Sequence, residues 1–430
     1  MNLARTLALS MLSSAPAFAQ LAPPPGPVTE TDQVREEADA RIPIDAGFTT
    51  ISEPGSYYLT QNISTVVGAS ITVAVPDVTI DLNGYSIIGG PGGINVNANR
   101  VTIRNGTIRD VQGTAIDARF LNELVVEDVA IHNCGRGTIL VPSTEAAIDV
   151  SSGRVERVRI TDCSIGIGLF GDGTTVRDTV LLDIDRSGIV SLTQGRVEVT
   201  VEGCKLRGIG NRGIDVTTGR IRNTTIETVG DIGVDVQSYG LIENVTVIDA
   251  VGRAIDAGRN GRVINSSAVD PGSDGIVVGR GGLIENCTVA GAAASAYIVG
   301  NGGLITGSTA NGRAVNNTIP MQVGIQLGDG ATARDNTIFE YQETGITLEE
   351  DAVADSNTIV GNTVGTSDRA FFAAGAFIQI TRNNISQSGS TGASLGASGS
   401  WLGTNVANLV VNSRIGPAND LNSPWANFVD

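Results

Sequence analysis

Four segments between Gly213 and Val289 can be laid over one another almost without gaps. Their anchors, Ile214, Val234, Ile255 and Ile276, are separated by 20, 21 and 21 positions. A period in this range is the mark of a solenoid, in which each unit buries its apolar face only against its neighbours. Every segment holds three short β-compatible pieces. The first is an apolar-polar-apolar triplet such as Ile214-Asp215-Val216, the second follows a glycine (Arg220-Ile221-Arg222), and the third is of the Asn-x-Thr-Ile kind (Asn223 to Ile226). Alternation at period two buries one face and solvates the other. No piece reaches the ten or so residues of helical periodicity that a helical repeat requires. The segments therefore predict an all-β chain wound as a single-stranded parallel β-helix, three short strands per coil.

The same register predicts two corner columns. Gly219, Gly240, Gly261 and Gly282 recur where a residue without Cβ can take positive φ. Asn223, Asn244, Asn265 and Asn286 recur four positions later, as expected for a ladder of side-chain amides bonded from coil to coil. Triplets of the first kind extend upstream through Ile94-Asn95-Val96, Ile116-Asp117-Ala118, Ile148-Asp149-Val150, Ile167-Gly168-Leu169 and Ile189-Val190-Ser191. Downstream they continue as Ile325-Gln326-Leu327, Ile346-Thr347-Leu348 and Ile378-Gln379-Ile380. About thirteen coils result, spanning roughly 60 Å at a rise of about 4.8 Å each.

The termini read differently. Arg5, the apolar run Leu7 to Leu12 and Ala17-Phe18-Ala19 form a signal peptide over 1–19, too short and too Ser-rich to span a membrane. A Pro-rich linker and a capping helix at Thr29 to Ala40 are expected over 20–41, the β-helix over 42–385, and a Ser/Gly-rich tail with Trp401 and Trp425 as a cap over 386–430. This organisation predicts a secreted or periplasmic protein without membrane insertion. A net charge of −17 disfavours nucleic acid and leaves an acidic glycan in need of a local arginine patch or a bridging cation. Cys134 and Cys163 each follow a strand Ile by three residues, so they are expected at equivalent places in neighbouring coils, at a spacing that suits a disulfide. Cys204 and Cys287 read as small buried residues.

The stretch ISEPGSYYLTQNISTVVGASITVAVPDVTIDLNGYSIIGG, with Ile80-Asp81-Leu82-Asn83-Gly84 as its most specific part, and VTIRNGTIRDVQGTAIDA after it resemble the first coils of exported bacterial right-handed parallel β-helix repeat proteins of the pectin-lyase-like superfamily. That resemblance implies a right-handed coil and a fold shared by polysaccharide lyases, glycoside hydrolases, epimerases and phage tailspikes; it does not select among them. The Asn-Thr-Asp, Asp-Asp, His-Gly and Arg-x-Lys elements of polygalacturonases are missing, and so is the Trp-x-Asp-His element of calcium pectate lyases. His132, the one histidine, reads as a solvent-facing strand residue. One His, three Met and four scattered Cys do not make a zinc or copper site. Gly166-Ile167-Gly168-Leu169-Phe170-Gly171 has dinucleotide-loop spacing, but no helix follows to receive a pyrophosphate.

The middle of the first triplet is the position with chemical content. In three consecutive coils it is Asp215, Asp235 and Asp256, with Asp117 and Asp149 at the same place further up. Carboxylates stacked one coil apart repel, so one of them should hold its proton unless a cation intervenes. Such a pair suits the roughly 5–5.5 Å of a retaining glycosidase, and a row of hard oxygens suits Ca²⁺. Asp215, Asp235 and Asp256 are the catalytic candidates, Asp235 foremost because it has an Asp on both sides. Arg212 and Arg253, two residues before Ile214 and Ile255, are the substrate-binding candidates. No other cofactor is expected. Loops able to wall a groove beside this column belong between Gly113 and Ile148 and between Asn311 and Gly324. Two functions fit: binding or processing of an extracellular polysaccharide along the exposed sheet, or a non-catalytic adhesive or structural rod.

Overall fold

The computed structural model describes residues 41–119, 121–136, 145–193, 195, 197–313, 321–361, 369–374, 378–386, 395–397, 405–406, 408–411 and 427–429. The leader, the expected capping helix, Trp401 and Trp425 lie outside these residues. Every regular element described is a strand, and every strand pairing is parallel. One sheet has sixteen strands, one from each coil, beginning with Thr49–Ile51 and ending with Leu395–Ala397. We call it the triplet sheet. The second sheet has 32 strands and holds the other two pieces of each coil, such as Thr218–Arg222 and Thr225–Val229.

The repeat anchors are partners across coils: Ile214 pairs with Val234, Val234 with Ile255, and Ile255 with Ile276. The stack continues through Tyr297, Ile325, Ile346 and Phe371, all buried. Alternation thus does what period two requires in triplets such as Ile214–Val216, Val234–Val236 and Ile276–Val278, with both outer members buried and the middle one partly exposed. Parallel pairing continues beyond residue 385, through Leu395–Ala397 to Asn427–Val429, so there are more coils than the sequence repeat traces. Ile378-Gln379-Ile380 is not a member of the triplet sheet: Gln379–Thr381 pairs with Val353–Asp355 in the long sheet. The true triplet there is Phe371-Phe372-Ala373, which aromatic residues disguise in the sequence.

Both corner columns need correction. Gly219, Gly240, Gly261 and Gly282 are absent from the positive-φ residues. They are glycine because the backbone passes too close for a side chain: a Cβ at Gly261 would stand 2.0 Å from the Ala257 carbonyl oxygen, and one at Gly282 2.5 Å from the Cβ of Val278. Positive φ belongs instead to the asparagines, at 50°, 54°, 50° and 52° for Asn223, Asn244, Asn265 and Asn286. Of the 27 non-glycine residues with positive φ among the described residues, eighteen are Asn or Asp. These side chains tolerate the left-handed turn, so part of the acidic composition is corner chemistry. The exposed column carries one amide bond, Asn244 Nδ2 donating to Asn223 Oδ1 at 3.2 Å. A continuous ladder exists one residue further on and nearer the C-terminal end, where Asn336 Nδ2 donates to Asn357 Oδ1 (2.9 Å) and Asn357 Nδ2 to Asn383 Oδ1 (3.0 Å), all buried.

Cys134 and Cys163 occupy the equivalent positions expected of them, since Ile131 pairs with Ile160. The Cys134 amide donates to Cys163 Sγ at 3.3 Å. All four cysteines are free thiols and buried.

Candidate functional site

The outward column of the triplet sheet is set by register: Asn95, Asp117, Asp149, Gly168, Val190, Asp215, Asp235, Asp256, Val277, Ile298, Gln326, Thr347 and Phe372 follow one another across adjacent coils. The three candidate aspartates therefore stack as the repeat predicts. Gly168 and Val190 separate them from a second acidic pair, Asp117 and Asp149.

Arg212 and Arg253, from the turns before two of these strands, reach onto this face. Arg212 Nη1 donates to Asp215 Oδ2 at 3.0 Å and to Asp235 Oδ2 at 2.8 Å, bridging two coils. Its Nε reaches Asp231 Oδ2 at 3.5 Å. Arg253 binds Asp256 Oδ2 at 2.8 Å and Asp274 Oδ2 at 3.3 Å, and the Gly258 amide donates to Asp256 Oδ1 at 3.1 Å. Five carboxylates, three in the column and two in the turns, thus share two guanidinium groups. Asp235, in the middle, is half-buried and has no arginine of its own. Burial first, then the charges of Asp215 and Asp256, push its pKa up to about 6 against the pull of Arg212 and Arg253. Arg212 and Arg253 are bound within the column, as carboxylate clamps.

The second acidic pair was visible in the sequence only as two more members of the column. Asp149 is 1% exposed. Thr114 Oγ1 donates to its Oδ2 at 3.2 Å, and Arg119 Nε lies 3.9 Å from the same oxygen. Asp149 Oδ1 has no hydrogen-bond partner. It fills the space above Gly168, where a Cβ would approach it to 2.4 Å. Ala146, Ile165, Val190 and Leu192 form a small apolar cluster on the same part of the sheet. Burial dominates and pushes the Asp149 pKa up to about 7; Arg119 and Thr114 oppose it, while Asp117 and Glu145 add to it. Arg119 is engaged elsewhere, donating to both oxygens of Asp117 at 2.9 and 2.6 Å. Asp117, Arg119, Thr114 and Glu145 line a cleft of about 240 Å³, beside the insertion that begins at Gly113. Sequence spacing alone does not reveal it, because the contact between Thr114 and Asp149 spans 35 residues.

Among the described residues no group of three or more His, Cys, Asp or Glu is arranged to hold a metal ion, and no helix is long and apolar enough to cross a membrane. His132 is exposed, with Nδ1 2.9 Å from Thr161 Oγ1.

A family model described as the right handed beta helix region matches residues 72–228, 144–288 and 242–415. The chain belongs to the right-handed β-helix family. No curated protein matches it. Among solved structures, this β-helix is similar to a tailspike protein of E. coli bacteriophage HK620 in complex with a pentasaccharide: 12% identity, TM-score 0.37, 80% of this chain and 72% of that one covered. It is also similar to an alginate lyase from Paenibacillus sp. (12% identity, TM-score 0.30, 80% and 99% covered). A third likeness is to the catalytic unit of a thermostable GH87 α-1,3-glucanase from Streptomyces thermodiastaticus (13% identity, TM-score 0.31, 82% and 62% covered).

Proposed function

We propose that this β-helix binds and hydrolyses an extracellular polysaccharide laid along the outward column of the triplet sheet. The observation that carries the reading is Asp235: a half-buried carboxyl, with a pKa near 6, held in register between two further carboxylates. Adjacent coils rise by about 4.8 Å, close to the roughly 5–5.5 Å between the two carboxyl groups of a retaining glycosidase. In this scheme Asp235 donates its proton to the leaving oxygen. Asp256, oriented by Arg253 and by the Gly258 amide, attacks the anomeric carbon as its bond to the leaving oxygen breaks, and a water deprotonated by Asp235 then cleaves the glycosyl–Asp256 ester. Arg212 orients the acid and is displaced from it when the glycosidic oxygen arrives.

A second reading rests on the same arginines. Arg212 and Arg253, each pairing with aspartates of two adjacent coils, also make a cross-coil clamp, which suits a non-catalytic adhesive or structural rod. A glycan array followed by titration of the best ligand separates the two. Hydrolysis predicts that Asp235→Asn keeps the fold and the ligand but loses turnover by at least roughly a hundredfold, the usual scale of general acid catalysis. Unchanged turnover in the variant, or no ligand on the array, supports the rod.

A further inference from the structure

The corner that follows the triplet strands carries no carboxylate in five successive coils, at 217–220, 237–241, 258–262, 279–283 and 300–304. In a chain of net charge −17, arginine collects there: Arg220, Arg259, Arg262 and Arg280, all exposed. Register sets them side by side. Arg220 and Arg262 pair with Leu241 from its two sides, and Arg259 pairs with Ser238. Arg280 stands one coil beyond Arg259, its carbonyl accepting from the Asn260 amide as that of Arg259 accepts from Tyr239. Among the described residues none of these four side chains has an ion pair or a hydrogen bond. In the same coils Arg212, Arg222 and Arg253 are each held by a carboxylate.

An aromatic ring sits among them. Tyr239 is 63% exposed and has a φ of 53°. Asn260 and Gly281 take that turn position in the next two coils, as left-handed backbone prefers. A bulky ring there is strained and buries little, so folding alone does not account for it. It leaves an apolar face and a hydroxyl open beside four guanidinium groups. The neighbouring aspartates of the column are already paired with Arg212 and Arg253, and salt screens more distant acids beyond about 8 Å. An anion at this corner is therefore attracted. From the coil of Arg220 to that of Arg280 is three coils, roughly 14 Å. That is too long for one small anion and suits a polymer with acidic groups at intervals, each gripped through two oxygens by a planar guanidinium. Duplex nucleic acid, with a charge every ~1.7 Å, would need a denser row of cations.

We propose that Arg220, Arg259, Arg262 and Arg280 bind the carboxylate or sulfate groups of an acidic polysaccharide running along the coil axis, with Tyr239 against a sugar ring. The inference rests on the glycan reading of the outward face, which this corner borders, since Tyr239 follows Asp235 by four residues. It adds the chemical class of the ligand, and it supplies the local arginine patch that an acidic glycan needs against a net charge of −17.

Exposed side chains without partners can be changed at little cost to the fold, which makes the test clean. Binding of polygalacturonate, dextran sulfate, neutral dextran and inorganic polyphosphate to the full chain would be measured by isothermal titration. At least one acidic glycan is expected to bind roughly tenfold or more tighter than dextran and polyphosphate, and which one it is separates carboxylate from sulfate. Arg259→Gln with Arg280→Gln should weaken that binding at least roughly tenfold, the effect of one hydrogen bond between charged groups, at an unchanged thermal midpoint. Lysine at both positions should restore only part of it, because the fork is lost. Tyr239→Asn should raise the midpoint and weaken binding at least roughly threefold. Arg159 and Arg207 are exposed arginines outside the corner. Changing both to Gln removes the same charge and should leave binding unaltered. Neither acidic glycan binding, polyphosphate binding as tightly, or an equal loss in the Arg159 and Arg207 variant would overturn the inference. Turnover keeps the two readings apart. If an uncharged glycan is hydrolysed through Asp235 and the corner variants do not alter its binding, the corner fails and the face survives. If an acidic glycan is held through the corner but never cleaved, the corner survives and Asp235 chemistry fails.

Discussion

Asp149 and Asp235 share one column and hold their protons for the same leading reason, burial, but with different neighbours. Asp149 faces apolar side chains and a guanidinium committed to Asp117, whereas Asp235 lies between two aspartates and a shared arginine. Both have consequences for stability. The Asp149 pKa rises from 3.8 to about 7 on folding, so the unfolded chain releases this proton at lower pH than the folded one. Stability from this group is therefore intact below about pH 4, falls as pH rises to about 7, and is flat beyond. Asp149→Asn should remove that slope and be more stable than the parent at pH 8 by up to about 4 kcal/mol, with little difference near pH 4. Urea melts at the two pH values would show it; an equal offset at both would contradict the buried-acid assignment. Asp235→Asn should show the same sign over a narrower range, since its pKa reaches only about 6.

At the scale of the element, corners decide what the strands can do. Gly261 and Asn244 look interchangeable as turn residues but are held by different physics. Asn244→Gly should be close to neutral, because glycine tolerates a φ of 54°. Gly261→Ala should be strongly destabilising, because its Cβ would overlap the Ala257 carbonyl. Chemical denaturation of the pair checks this, and the reverse order would return the glycines to the positive-φ role. Asn357→Ala should cost on the order of 3 kcal/mol, because it strands the Asn336 amide and removes the donor to Asn383 inside the coil. These corners also mark what the sequence could convey. Period and alternation made the strands, the inner stack and the outward Asp column legible, because parallel register simply repeats the spacing. Why a glycine recurs was not legible, since close approach and positive φ leave the same letter. The asparagine ladder was placed one residue early and toward the wrong end: an exposed Asn in a left-handed turn and a buried Asn in a ladder recur at similar spacing. The cleft at Asp117 was hidden more deeply, because its lining joins Ala69, Asn95, Asp117 and Glu145 from successive coils.

At the scale of the whole β-helix, each coil touches only its neighbours, so the outward face is a surface on which sites can be set at intervals without disturbing the core. Asp235 and the buried Asp149 are four coils apart, roughly 19 Å at about 4.8 Å per coil. They are too far apart to share one reaction. The β-helix family and the parallel register hold independently of any such use. What the face does rests on Asp235. The most direct measurement is the rate of reducing-end release from the array's best glycan, followed from pH 4 to pH 9 for the parent and for Asp235→Asn. The parent should lose activity as pH rises through about 6, and the variant should retain no limb there. Activity in Asp235→Asn with the parent's pH profile would contradict the account.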